Sequence, residues 1–142
     1  MNNLLEKKAV DFCIKNKHRL TVPRLNVLKI LTSSSKPMTA YQILKKLGEL
    51  MDNPKPPTAY RAIEFWKKYN FVHRIESLNA YSVCSSNHLH SGGQFMICND
   101  CGKVIETHLC SLPSAFKKIL KEQMFTLSNW NLEISGVCKK CS

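Results

Sequence analysis

Residues 56–84 read PPTAYRAIEFWKKYNFVHRIESLNAYSVC, and the architecture of the chain follows from them. After the double proline, Ala59, Ala62, Ile63 and Trp66 recur at three- and four-residue spacing, the period of a helix with one buried face. Thr58, Tyr60, Arg61, Glu64, Lys67 and Lys68 fall on the other side, which is basic and aromatic. Past Asn70 the period drops to two. Phe71, His73 and Ile75 alternate with Val72, Arg74 and Glu76, Ser77 to Asn79 turn the chain, and Ala80 to Cys84 form a second short strand. A helix followed by a small hairpin is the outline of a winged-helix DNA reader, whose first helical residues reach base edges.

Upstream, three helical patterns precede this segment. Asn3 and Glu6 form a capping box ahead of a stripe of Leu5, Ala9, Phe12 and Cys13, which places Cys13 in the core. His18, Arg19 and Thr21 occupy the following break, where they read either as an approach to a phosphate backbone or as a plain solvated loop. A second helix after Pro23 carries Leu25, Val27, Leu28, Ile30 and Leu31 and stops at Ser33 to Pro37. Thr39 with Gln42 makes another capping box, opening a third helix with Ile43, Leu44, Leu47 and Met51 inward. Short connections and a final hairpin make this a helix-turn-helix variant. Tyr60 suits a thymine methyl and Arg61 a guanine or a phosphate, Lys67 and Lys68 suit the backbone, and Thr58 and Arg19 are further DNA-binding candidates.

Downstream, residues 85–93 are small and polar with two glycines and read as a hinge. The expected organisation is a winged-helix domain over 1–84, the hinge, and a small α/β domain over 94–142. In the latter, Gln94 to Cys98 is a strand delivering Cys98-Asn-Asp-Cys101-Gly102, and a second strand leaves through Glu106. Ser111 is expected to cap a helix with Pro113 in its first turn and Leu112, Phe116, Ile119 and Leu120 on it. Phe125 to Val137 reads as extended chain, broken near Ser128, that delivers Cys138-Lys-Lys-Cys141.

The chain of 142 residues carries a net charge of +11. Residues 1–84 hold 15 Lys and Arg against 6 Asp and Glu, and residues 85–142 hold 6 against 4. The excess sits in the helical half, which reads as the polyanion-binding half, a solvated basic surface being the alternative. No run approaches a membrane span and the N-terminus has no cleavage-like site, so the expectation is a soluble, cytoplasmic protein. No paired carboxylates, nucleophile with a local base, or phosphate-cradling glycine loop is evident. Neither enzymatic activity nor a small-molecule substrate is expected.

Two CxxC pairs separated by 36 residues, Cys98/Cys101 and Cys138/Cys141, match a closed tetrahedral zinc site that contributes folding energy. A thiol oxidoreductase is the alternative, disfavoured because the first pair lies at a strand knuckle instead of a helix start. A zinc-ribbon RNA-binding factor is another. His73, Cys84, His88, His90, Glu106, His108 and Cys110 remain as further metal candidates. One thiolate, two imidazoles and one carboxylate from this set would balance a divalent zinc and link the two domains across the hinge.

TAYRAIEFW, FVHRIES, NAYSVC, CNDCG and the terminal CKKC together resemble the ferric uptake regulator superfamily, most closely its zinc uptake regulator branch. The resemblance spans nearly the whole chain. It implies a homodimeric, metal-responsive repressor with an N-terminal winged helix and a C-terminal α/β dimerisation domain. It further implies two zinc ions per chain, one structural on Cys98, Cys101, Cys138 and Cys141, and one regulatory on His73, Cys84, His90 and Glu106. Tyr60 and Arg61 match positions that enter the major groove of an AT-rich inverted-repeat operator. HLHSGGQF stands where iron-type members carry a denser run of histidines with an aspartate, so hard ligands are lost while Cys84 is kept, which favours zinc over iron. The same departure leaves His88 as an alternative to His90 and His108 as a third-site candidate. Sensing of iron, manganese or peroxide is the rival within the family.

Overall fold

Four helices wrapped on one apolar core, with a small sheet at their edge, account for the first unit, Met1–Cys84; the second is Ser85–Ser142. The computed structural model describes residues 2–84 and 92–142, with side chains from Leu4 onward, so the Asn3–Glu6 capping box lies outside the described residues.

In the first unit, α1 (Asn2–Lys15), α2 (Val22–Ser33), α3 (Ala40–Leu50) and α4 (Pro56–Lys68) bury the faces their spacing predicts. Ala9 and Cys13, Val27, Leu28 and Leu31, Ile43 and Leu47, and Ala59, Ile63 and Trp66 meet in one cluster. The Trp66 indole N–H, deep in that core, donates to the Arg24 carbonyl at 2.7 Å, so its polar edge is satisfied. Thr21 is the N-cap of α2, its hydroxyl accepting from the Arg24 N–H at 3.4 Å, and the helix starts at Val22, ahead of Pro23. The Thr39–Gln42 capping box is present in both directions, at 3.2 and 2.9 Å.

The wing holds three strands instead of the expected two: β1 (Met38–Thr39), β2 (Val72–Ile75) and β3 (Ala80–Val83), in the order β1-β3-β2, all antiparallel. Phe71, Val72, His73 and Ile75 are all buried, so the expected alternation is absent. A strand covered on both faces loses its period-two signature. A single 3-10 turn, Glu76–Leu78, leads to Asn79 at φ 46°, a left-handed conformation asparagine tolerates, and its side chain accepts from Arg74 at 2.9 Å.

The second unit is a sheet ordered β5-β4-β6, with β4 (Gln94–Cys98) antiparallel to β5 (Val104–Glu106) and parallel to β6 (Leu132–Gly136). Parallel pairing demands a long crossover, which carries α5 (Ser114–Glu122). This helix starts later than the expected cap at Ser111, because the residue before a proline is pushed out of helical conformation, and Pro113 itself is extended at ψ 146°. The extended chain expected from Phe125 narrows to Leu132–Gly136. Gly92, at φ +75°, lies against the Trp130 carbonyl, which a Cβ would meet at 1.8 Å. Next to it the Gly93 N–H donates to the Asn131 side chain at 2.9 Å.

Candidate metal centres and nucleic-acid interface

The four-cysteine cluster follows from strand register. Cys98 ends β4, and Gly102, at φ +71°, closes the knuckle by donating its N–H to the Cys98 carbonyl at 3.0 Å. Cys98 pairs with Gly136 on β6, so the chain leaving that strand delivers Cys138 and Cys141 beside the first pair. All four sulfurs lie within 4.8 Å of one another. Cys138 Sγ stands 3.7 Å from both Cys101 Sγ and Cys141 Sγ. A disulfide needs about 2.05 Å. A tetrahedron with Zn–S bonds of about 2.3 Å has edges of about 3.8 Å. The sulfurs therefore stand at the spacing of a four-thiolate zinc site and not at that of a bonded pair.

Electrostatics agree. Backbone N–H groups of Cys101 and then Cys138 point at the Cys98 sulfur, the latter at 3.3 Å, and hold its pKa down to about 6. Cys141 is pushed up to about 12, first by its contacts with the Cys138 and Cys101 sulfurs and then by burial. Four adjacent thiols cannot all ionise without a cation among them, and a divalent soft metal is the cation this donor set fits.

A second pair of candidate soft donors lies in the first unit. His73 on β2 and Cys84 just after β3 are buried, and their ligand atoms lie within 4.8 Å. The Cys84 N–H donates to the Phe71 carbonyl at 2.9 Å, which fixes the residue at the end of the hairpin. In the second unit Glu106 is half-buried on β5, opposite Phe95, while His108 and Cys110 are exposed beyond it. His88 and His90 lie outside the described residues.

On α4, Tyr60 is 50% exposed and Arg61 is exposed in the second turn, with Thr58 half-buried in the first. Lys67 pairs with Glu64 at 3.5 Å, and Lys68 reaches over the Tyr69 ring at 5.5 Å. Arg19 is exposed in the loop before α2. A cleft of about 370 Å³ brings Arg19, Thr58 and Arg61 together with Thr21 and Arg24. Arg24 was not singled out by sequence. Its helix position, five residues after Arg19, was the available clue.

The chain is similar to known proteins in sequence and fold. Residues 15–135 match the ferric uptake regulator family. The zinc uptake regulation protein of Escherichia coli (strain K12) is 32% identical over 136 residues, covering 94% of this chain and 79% of that one. A zinc uptake regulator complexed with zinc and DNA superposes with a TM-score of 0.90 at 30% identity, covering 99% of this chain and 95% of that one. Holo XcZur superposes at 0.83 with 33% identity, over 99% and 98% of the two chains. With a winged helix, a four-sulfur cluster and a family match over most of its length, the chain belongs to the ferric uptake regulator family, on its zinc uptake regulator side.

Proposed function

We propose that this protein is a zinc-responsive transcriptional repressor. It binds an AT-rich inverted-repeat operator as a homodimer when its regulatory zinc is in place, and so controls zinc uptake genes in the cytoplasm. The observation that carries the reading is the likeness, over 99% of the chain, to a zinc uptake regulator seen with zinc and DNA. Each chain takes two zinc ions. Cys98, Cys101, Cys138 and Cys141 hold the structural one. His73, Cys84, His90 and Glu106 hold the regulatory one, a set whose formal charges cancel those of the ion.

Several features support the parts. The buried His73 and Cys84 offer nitrogen and sulfur at ligand spacing. The first unit carries the basic excess, and α4 presents Tyr60 and Arg61 outward. A homodimer accounts for the apolar surface of the second unit, where Phe116, Ile119, Met124, Phe125 and Ile134 are more than half exposed. Large apolar side chains left exposed in this number are of the kind a partner covers. No helix among the described residues is long and apolar enough to cross a membrane.

A gel shift on an AT-rich inverted repeat, with zinc, iron and manganese titrated in parallel and metal content measured, tests the reading. Zinc is expected to switch binding on, and Cys84→Ser to leave a folded dimer with one zinc per chain and no zinc response. Binding indifferent to zinc, or switched by iron or manganese in preference, would refute it.

A further inference from the structure

Arg24 is unusual for a cation on a helix that faces solvent along one side. Its Nη1 donates to the Arg19 carbonyl, and its guanidinium carbon lies 3.7 Å from the centroid of the Phe65 ring. Its own N–H is taken by the Thr21 cap and its carbonyl by the Trp66 indole. One residue thus ties the loop before α2 to the core of α4. With the fork engaged in this way, Arg24 is a brace, and Arg19 is the exposed cation beside it. The cleft at the starts of α2 and α4 is lined by Arg19, Thr21, Arg24, Thr58 and Arg61, and no acidic side chain among the described residues lines it.

We propose that this cleft is the seat of one DNA backbone phosphate, taken by the Arg19 guanidinium and the Thr58 hydroxyl beside Arg61, and that Arg24 is a positioning residue acting through Arg19. The proposal rests on the DNA-binding reading above and adds a partition of roles to it. A diester phosphate offers one negative charge and two acceptor oxygens, which matches a charged fork and a hydroxyl set against a braced loop. Arg61 then remains available for a base edge, oriented by a phosphate fixed next to it.

The experiment is the salt dependence of binding by the zinc-loaded protein to a fluorescein-labelled AT-rich inverted-repeat duplex, read by anisotropy. Each lost phosphate contact lowers the slope of log affinity against log salt by about 0.9. Arg19→Ala is expected to lower it by about that much per protomer, Arg24→Gln by no more, and the double variant by no more than Arg19→Ala alone. Zinc content and thermal melting check the fold; should Arg24→Gln melt below the assay temperature, Arg24→Lys, which keeps a cation over Phe65, takes its place in the cycle. An unchanged slope for Arg19→Ala overturns the phosphate seat. Additive losses in the double variant overturn the positioning role and make Arg24 a direct contact. Wild-type protein that binds no duplex at all overturns the DNA reading itself, a result distinct from the other two.

Discussion

Stripping zinc from the four-cysteine cluster should unfold the second unit and spare the first. Among the described residues of 92–142, only Phe95, Ile97 and Cys98 are buried apolar side chains. At about 1.5–3 kcal/mol for each large one, burial of Phe95 and Ile97 contributes on the order of 3–6 kcal/mol. A structural zinc site contributes about 10–16 kcal/mol at neutral pH, more than that core and comparable to the whole stability of an ordinary domain. The first unit has its own cluster around Leu28, Ile63 and Trp66, with no cysteine of the four in it. Hydrogen exchange read by mass spectrometry, on protein treated with a strong chelator or carrying Cys138→Ser, separates the two. Protection is expected to vanish in 94–98 and 132–136, to persist in α2 and α4, and light scattering should show loss of the proposed dimer. Protein verified as zinc-free by elemental analysis that keeps native protection in those two strands would refute the argument.

Three further outcomes follow from particular contacts. Leu28→Ala, at a fully buried position in α2, should cost about 2–5 kcal/mol in denaturant unfolding of the first unit and leave zinc content alone. Arg61→Ala should weaken operator binding by about 1–3 kcal/mol in an anisotropy titration with zinc occupancy unchanged. Gly92→Ala forces a Cβ into the Trp130 carbonyl at a left-handed φ, and a loss of about 1–3 kcal/mol in the melting of the second unit is expected; an unshifted melt would mean that this contact is not retained in solution.

What was legible in the sequence was what depends on neighbours in the chain. The stripe Ala59, Ala62, Ile63 and Trp66 is a property of one helix turning under itself, and every member is buried. Thr39 and Gln42 are three residues apart, so their reciprocal cap could be read directly. Cys13 also reads correctly as core; burial raises its thiol pKa ahead of the opposing pull of Arg24. What failed depended on partners chosen in three dimensions. Met38–Thr39 is too short to show a strand period and is one only because Tyr81 and Ala80 lie beside it. The role of Arg24 is invisible until Arg19, Phe65 and Trp66 surround it.

The cysteine cluster sits between these two cases, and shows why spacing can be trusted for chemistry before it can be trusted for geometry. Each CxxC is local: two residues between thiols suffice to form a knuckle, as the bonds from Gly102 N–H to Cys98 and from Cys141 N–H to Cys138 show. The 36 residues between the pairs carry no such constraint, and an antiparallel return was as compatible with them as a parallel one. The parallel β4–β6 ladder closes the gap, with Cys98 opposite Gly136 two residues before Cys138 and Asn99 N–H bonded to the Gly136 carbonyl at 2.8 Å. A slip of one residue in that ladder would move the second knuckle by about 3.3 Å along the strand and turn its side chains to the other face. The 3.7 Å sulfur edges would then be lost, so a tetrahedral metal bound there would select this register.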